Sequence, residues 1–259
     1  VGSEMCIRDS FYSGPLILTG LSVAVAFKTG LFNIGAPGQF YMGTMGSLLV
    51  ALSIPSKNGA EAFFIWFFAI IVGMCFGAMW GSIPGIFKAL FGVNEVIVCI
   101  MTNWISANIV TWVFTSTPNL KNISMGKSDY LITTAVTGNG TPKIGLDKLF
   151  KGSYIDLGII LAILVAIVLL IILNKTTFGY ELKACGANKH AAKYAGMNEK
   201  RNIMLSMMIA GGLAGAGAAL WYLNGKNDFM WNTYGALPND GFNGIPVALL
   251  ASNNPIGVI

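Results

Sequence analysis

Apolar residues run in long stretches along this chain, and polar residues collect in the seams between them. Ala62–Ile83, Val96–Ser116 and Asn202–Leu223 carry no charged side chain, and Leu157–Leu173 is apolar throughout. A membrane-spanning helix needs about 20 mainly apolar residues, within a range of about 17–25. These four stretches predict four spans. Phe11–Phe27 and Gly38–Ile54 predict two shorter ones, and a seventh begins near Gly241. The expected fold class is an all-α integral membrane protein, a polytopic helical bundle in a lipid bilayer.

Composition agrees with the pattern. Hydrophobic residues make up 54% of the chain and charged residues 10%, where a soluble domain carries about 25% charged residues. Mean hydropathy is +0.66. The net charge of +5 would suggest a nucleic-acid partner in a soluble protein, but here the basic residues sit in loops. Their ordinary role is orientation, with Lys and Arg held on the cytoplasmic side. Segment 174–201 carries Lys175, Lys183, Lys189, Lys193, Lys200 and Arg201 against Glu181 and Glu199, and is expected to be cytoplasmic. Alternation puts Lys28–Pro37 and Pro84–Asn94 on the same side. Pro55–Glu61 and the long segment 117–153 fall outside, the latter with little regular structure.

Residues 1–10, "VGSEMCIRDS", differ sharply in polarity from the apolar stretch beginning at Phe11, and lack the apolar core of a signal peptide. They are read as a non-native scar ahead of a single domain over 11–259. The chain ends within the apolar "NNPIGVI", so a piece of a longer protein is expected. Cys6, Cys75, Cys99 and Cys185 form no paired motif, and Cys75 and Cys99 are expected to be buried thiols within spans. His190 is the single histidine, which leaves no histidine cluster for a metal. No G-x-x-x-x-G-K-[ST] occurs, so any ATPase is another chain.

Glycines recur four apart at Gly73, Gly77, Gly81 and Gly85, and again at Gly211 and Gly215. Residues at i and i+4 share a helix face, and small residues there let two backbones approach closely. "GLAGAGAAL" faintly resembles a dinucleotide loop, but no strand precedes it, and packing is the better reading.

Four polar seams lie among the spans. "LFNIGAPGQFYMG" gathers Asn33, Gly35, Pro37, Gly38 and Gln39 between two apolar stretches. Non-helical backbone at membrane depth persists only where protein buries it or it lines a wet cavity, and transporters use such breaks to bind polar solutes. The plain alternative is a tight cytoplasmic turn. "NEVIVCIMTNWISANIV" offers Asn94 as N-cap and Glu95 as a partner of the helix dipole or a functional acid. It then places Thr102, Asn103 and Ser106 on one face, as pathway lining or interhelical hydrogen bonds. "GFNGIPVALLASNNPIG" interrupts the seventh apolar stretch with Gly241, Asn243, Gly244 and Pro246. Asn33, Gln39, Asn103 and Asn243 are the candidate pathway residues. The fourth seam, "FGYELKACGANKHAAKYAGMN", predicts a two-turn cytoplasmic helix capped by Asn188 and closed by Gly196. It would present Ala191, Ala192 and Ala195 as a smooth face, either to a partner groove or to the membrane surface.

Taken together, "LFNIGAPGQFYMG", "NEVIVCIMTNW", "TTFGYELKACGANKHAAKYAGMN" and "GFNGIPVALLASNNPIG" resemble the permease subunits of bacterial ABC importers for nucleosides and simple sugars. That group includes ribose-type and branched-chain amino acid permeases. The resemblance spans Phe11 to Ile259 and is closer to the larger of two paired nucleoside-type permeases. It implies a type II importer permease in the bacterial cytoplasmic membrane, performing no chemistry of its own. A second permease subunit, identical or not, two ATPase subunits holding ATP and magnesium, and an extracytoplasmic binding lipoprotein would complete the assembly. Gly186, Asn188, Ala191, Ala192, Tyr194, Ala195 and Gly196 would form the coupling element in the ATPase groove. Pro37 stands where the family commonly has an acidic residue, so no charged substrate contact is assigned there. The family would also add an N-terminal span and further C-terminal helix. Two rivals need other features: an ion-coupled transporter needs acidic or histidine relays within spans, whereas Glu95 and Asp156 lie near span ends. A membrane enzyme needs a nucleophile–base pair or metal ligands at depth.

Overall fold

The computed structural model describes residues 2–122, 126–128, 139–142, 157–225, 227–231 and 237–259, with side chains from Tyr12 onward. Its helices are α1 (Gly2–Lys28), α2 (Ala36–Ser53), α3 (Gly59–Phe91), α4 (Glu95–Ser116), α5 (Leu157–Lys175), α6 (Thr177–Ala187), α7 (Lys189–Tyr194), α8 (Glu199–Leu223), α9 (Asn239–Leu250) and α10 (Pro255–Val258). Two short strands, β1 (Lys127–Ser128) and β2 (Phe229–Met230), pair antiparallel. Most of segment 117–153, and Asp156 beyond it, lie outside the described residues.

Among the described residues α3, α4, α5 and α8 are long and apolar enough to cross a membrane. Over its most apolar window α8 is 78% buried, against 28% for α3 and α5. The bundle is therefore built around α8, with α3, α4 and α5 facing outward. Their outer faces carry Phe64, Phe67, Trp104, Trp112, Leu164 and Ile171, all exposed, as a lipid-facing surface requires. Cys75 shares that exposure while Cys99 is buried, so the expectation of two buried thiols holds for Cys99 alone. Two of the expected spans differ in kind. Nearly all of α2 is buried, including Gln39, Thr44 and Ser47, and α1 buries Thr19 and Ser22. Helices screened from lipid by their neighbours can carry polar residues that a lipid-facing helix cannot.

Three boundaries differ from expectation. First, α1 runs back to Gly2, across the change in polarity at Phe11. Second, α3 continues through Pro84 to Phe91, so the loop expected over Pro84–Asn94 shrinks to Gly92–Asn94. Apolar Ile86, Phe87, Leu90 and Phe91 extend the outward face past the proline. Gly92, at φ 68°, then ends the helix by donating to the Lys88 carbonyl. Third, the basic segment 174–201 is mostly helical: Thr176 caps α6 by accepting from the Gly179 N–H at 3.1 Å.

Glycine sets the interhelical spacing. Methyl groups added to Gly77 and Gly211 would each fall on the other residue's carbonyl oxygen, and one on Gly43 would fall on the Gly215 backbone. A methyl on Gly81 would meet the Met207 carbonyl, and one on Gly215 the Gly73 carbonyl. α2, α3 and α8 thus meet backbone to backbone along one seam, the approach that small residues permit in membranes.

Candidate functional site

The break between α1 and α2 sits where the seam ends. α1 closes at Lys28, and the Leu31 N–H donates back to the Ala26 carbonyl. Gly30, at φ 71°, takes the left-handed conformation this closure requires. α2 restarts at Ala36 with Pro37 in its first turn, where a missing N–H costs nothing. Asn33, Gln39 and Asn103, each 2% exposed or less, converge here. The Asn33 amide donates to Gln39 Oε1 at 2.9 Å, and the Gln39 amide donates back to Asn33 Oδ1 at 3.2 Å. Asn103 reaches in from α4: its Oδ1 accepts from the Gly38 N–H at 3.0 Å, and its Nδ2 donates to the Ile34 carbonyl at 3.0 Å. It thereby satisfies one donor and one acceptor that the break leaves without helical partners. Asn103 lies about 12 Å, eight residues of helix rise, beyond the start of α4, so the break stands well within the bundle.

The second interruption meets the first. A methyl on Gly241 would strike the Pro37 backbone, and one on Gly244 would strike Thr19. α9 thus packs Gly241 on the α2 end of the break and Gly244 on the body of α1. Beyond it, Ser252 and Asn253 both have positive φ before α10 begins. Asn243 lies on the exposed side of α9 and does not join the other three amides. Thr102 and Ser106 return their hydroxyls to carbonyls of their own helix. Glu95 is held by Lys88 in an ion pair of 2.9 Å that ties α3 to α4, while Asn94 caps α4.

The basic segment abuts the break from one side. A methyl on Gly186 would strike the Lys28 carbonyl and crowd Gly30. Asn188 caps α7 by accepting from the Ala191 N–H at 3.1 Å. At the other end Met197 N–H donates to the Ala192 carbonyl and Gly196 N–H to the Lys193 carbonyl, both at 3.0 Å, the paired closure of a left-handed glycine cap. One expectation is corrected: Ala192 is 3% exposed, turned into the protein and away from any face shared with Ala191 and Ala195. The six-residue helix packs that alanine inward, and Tyr194, 92% exposed, is its outward-facing aromatic side chain.

Two features escape the sequence pattern. Asp240, in the first turn of α9 and half-buried, sits beside the break and within electrostatic reach of Tyr222. It lies one residue outside the apolar stretch that begins at Gly241, so hydropathy alone assigns it to the loop. The other is a knot of rings: Phe229 has its centroid 5.8 Å from Tyr41, 5.4 Å from Phe114 and 5.3 Å from Tyr222. Nothing local marks Phe229, since its partners come from α2, α4 and α8. Among the described residues no His, Cys, Asp or Glu group could hold a metal.

Lipid-facing helices around a buried, broken pair with amide side chains at depth define a multi-pass membrane protein of transporter type. The chain belongs to the family described as branched-chain amino acid transport system / permease component, which matches residues 8–259. It is a permease subunit of the ABC transporter kind. The nucleoside ABC transporter permease protein NupB of Lactococcus lactis subsp. cremoris (strain MG1363) is 40% identical over 100% of this chain and 70% of its own length. The guanosine ABC transporter permease protein NupP of Bacillus subtilis (strain 168) is 39% identical, over 95% and 67%. The glucose ABC transporter permease protein TsgB13 of Haloferax volcanii is 27% identical, over 94% and 63%. No solved structure matches the chain.

Proposed function

We propose that this chain forms a nucleoside pathway across the bacterial cytoplasmic membrane, as one permease domain over residues 11–259 paired with a second permease subunit. Import is driven by separate ATPase subunits that hold ATP and magnesium, and an extracytoplasmic lipoprotein delivers the substrate. The observation that carries the substrate class is the 40% identity, over the whole chain, to a permease named for nucleosides. The chemistry at the break agrees. Its side chains are neutral amides, which suit hydroxyls and nucleobases better than anions. In this reading Asn33, Gln39 and Asn103 shape the pathway by holding the break, and Asn243 borders it from α9. Gly186, Asn188, Ala191, Tyr194, Ala195 and Gly196 form the coupling element. Ala192 anchors that element from within, and Tyr194 is its outward contact.

The likeness to a glucose permease makes simple sugars the competing substrate class. A host lacking its own nucleoside and sugar uptake, given the full transporter, separates the two. Labelled guanosine or uridine is expected to accumulate at least tenfold above ribose and glucose. Preferential ribose or glucose uptake would overturn the nucleoside assignment.

A further inference from the structure

The ring knot around Phe229 has the composition of a ligand slot. Tyr41, Phe114 and Tyr222 come from three helices and close on one ring. Phe229 stands nearly edge-on to both tyrosines, at 74° and 81°, and is tilted by 52° to Phe114. Phe40 borders the group at 6.3 Å from Tyr222. The filling ring does not belong to any of these helices. It arrives on β2, two residues paired with β1 through Lys127↔Met230 and Ser128↔Phe229. Asp240, half-buried in the first turn of α9, is within electrostatic reach of Tyr222, and no cation among the described residues comes within ion-pair distance of it. An acidic side chain within a membrane bundle is costly and marks a functional site by default. Plain hydrophobic packing would not call for that acid. The rings border the same stretch of α2 as the break, because Tyr41 lies one turn beyond Pro37 on one helix face, and Pro37 packs on Gly241 beside Asp240.

Resting on the nucleoside reading above, we infer that the slot lined by Tyr41, Phe114 and Tyr222 receives the flat base of the substrate, that Phe229 occupies it in the substrate's absence, and that Asp240 accepts hydrogen bonds from the substrate's polar edge. Stacking on aromatic side chains tolerates every base, because each presents a π-face. The slot would therefore admit purine and pyrimidine nucleosides and discriminate against sugars without a base. Phe229 competes with the substrate for the same faces.

The test is equilibrium binding of tritiated guanosine to the assembled transporter, full-length permease with its ATPase partners, in lipid nanodiscs without the binding protein. Tyr222→Leu is expected to weaken binding about tenfold, in line with measured losses of base–aromatic stacking. Tyr222→Phe, which keeps the ring, is expected to remain within about twofold of the original. Phe229→Ala is expected to tighten binding severalfold, a gain that a purely structural role for Phe229 would not produce. Excess unlabelled ribose should not displace guanosine. Unchanged affinity in Tyr222→Leu, or weaker binding in Phe229→Ala, would overturn the slot. So would absence of binding by a transporter that still imports guanosine. A transporter that imports no nucleoside at all would instead sink the substrate reading on which the slot rests.

Discussion

Gly77→Leu is expected to leave the protein poorly folded in detergent, with a loss of stability of about 3 kcal/mol or more. Overpacking a tight interior costs about 1–3 kcal/mol, occasionally more. Here the first added carbon would already collide with the Gly211 carbonyl, which is backbone and cannot rotate aside. The same seam carries the functional break, since a methyl on Gly81 would approach the Gln39 amide at 3.3 Å. Separating α3 from α8 therefore also disturbs the amide cluster. Gly59→Ala is the matched control: an added methyl there meets nothing within 4 Å, and the variant should unfold with the original protein. Thermal unfolding with a size-exclusion profile reads both. A Gly77→Leu protein as stable and monodisperse as the original would remove the seam from this account.

Asn103→Leu carries the second large effect. Leucine fits the volume but leaves the Gly38 N–H and the Ile34 carbonyl without the side chain that now serves them. An orphaned buried polar group costs about 1–3 kcal/mol, so the present arrangement of the break should no longer be the preferred one. Uptake is expected to fall at least about tenfold, with membrane insertion unchanged because no charge or span is altered. Ser106→Ala should lose far less, since that hydroxyl only returns to the Asn103 carbonyl on its own helix. Comparing uptake per inserted molecule for the two variants separates support of the break from a general need for polar residues on α4. Normal uptake by Asn103→Leu would leave Asn103 without a part in transport.

The four lipid-facing and central spans are legible in the sequence because bilayer thickness imposes a length that composition can meet. The amide cluster is partly legible, because Asn33, Gln39, Pro37 and the glycines beside them have no cause to interrupt an apolar stretch unless something receives them. The pairing of Asn33 with Gln39 and the reach of Asn103 across to α2 depend on how α2 and α4 pack, which spacing along one helix does not encode. Pro84 reads as a helix terminus, since a proline alone does not reveal that the apolar face resumes after it. Ala192 misleads for a related reason. In a six-residue helix all faces look alike in sequence, and only contact with the rest of the chain shows which alanine turns inward. Asp240 and Phe229 are hidden because both stand in segments between apolar stretches, where depth within the bundle is set by tertiary packing alone.

In the proposed mechanism, an ATPase docked on α7 drives transport through this permease. The decisive experiment is guanosine uptake into proteoliposomes holding the full transporter, with ATP supplied on the ATPase side, comparing the original with Tyr194→Asp. Tyr194 is 92% exposed, so the substitution spares the fold while placing a charge on the proposed docking face. ATP-dependent guanosine uptake is expected for the original and its loss for Tyr194→Asp, with equal amounts of permease in the membrane. Uptake that survives the substitution, ignores ATP and collapses with the proton gradient would contradict that mechanism.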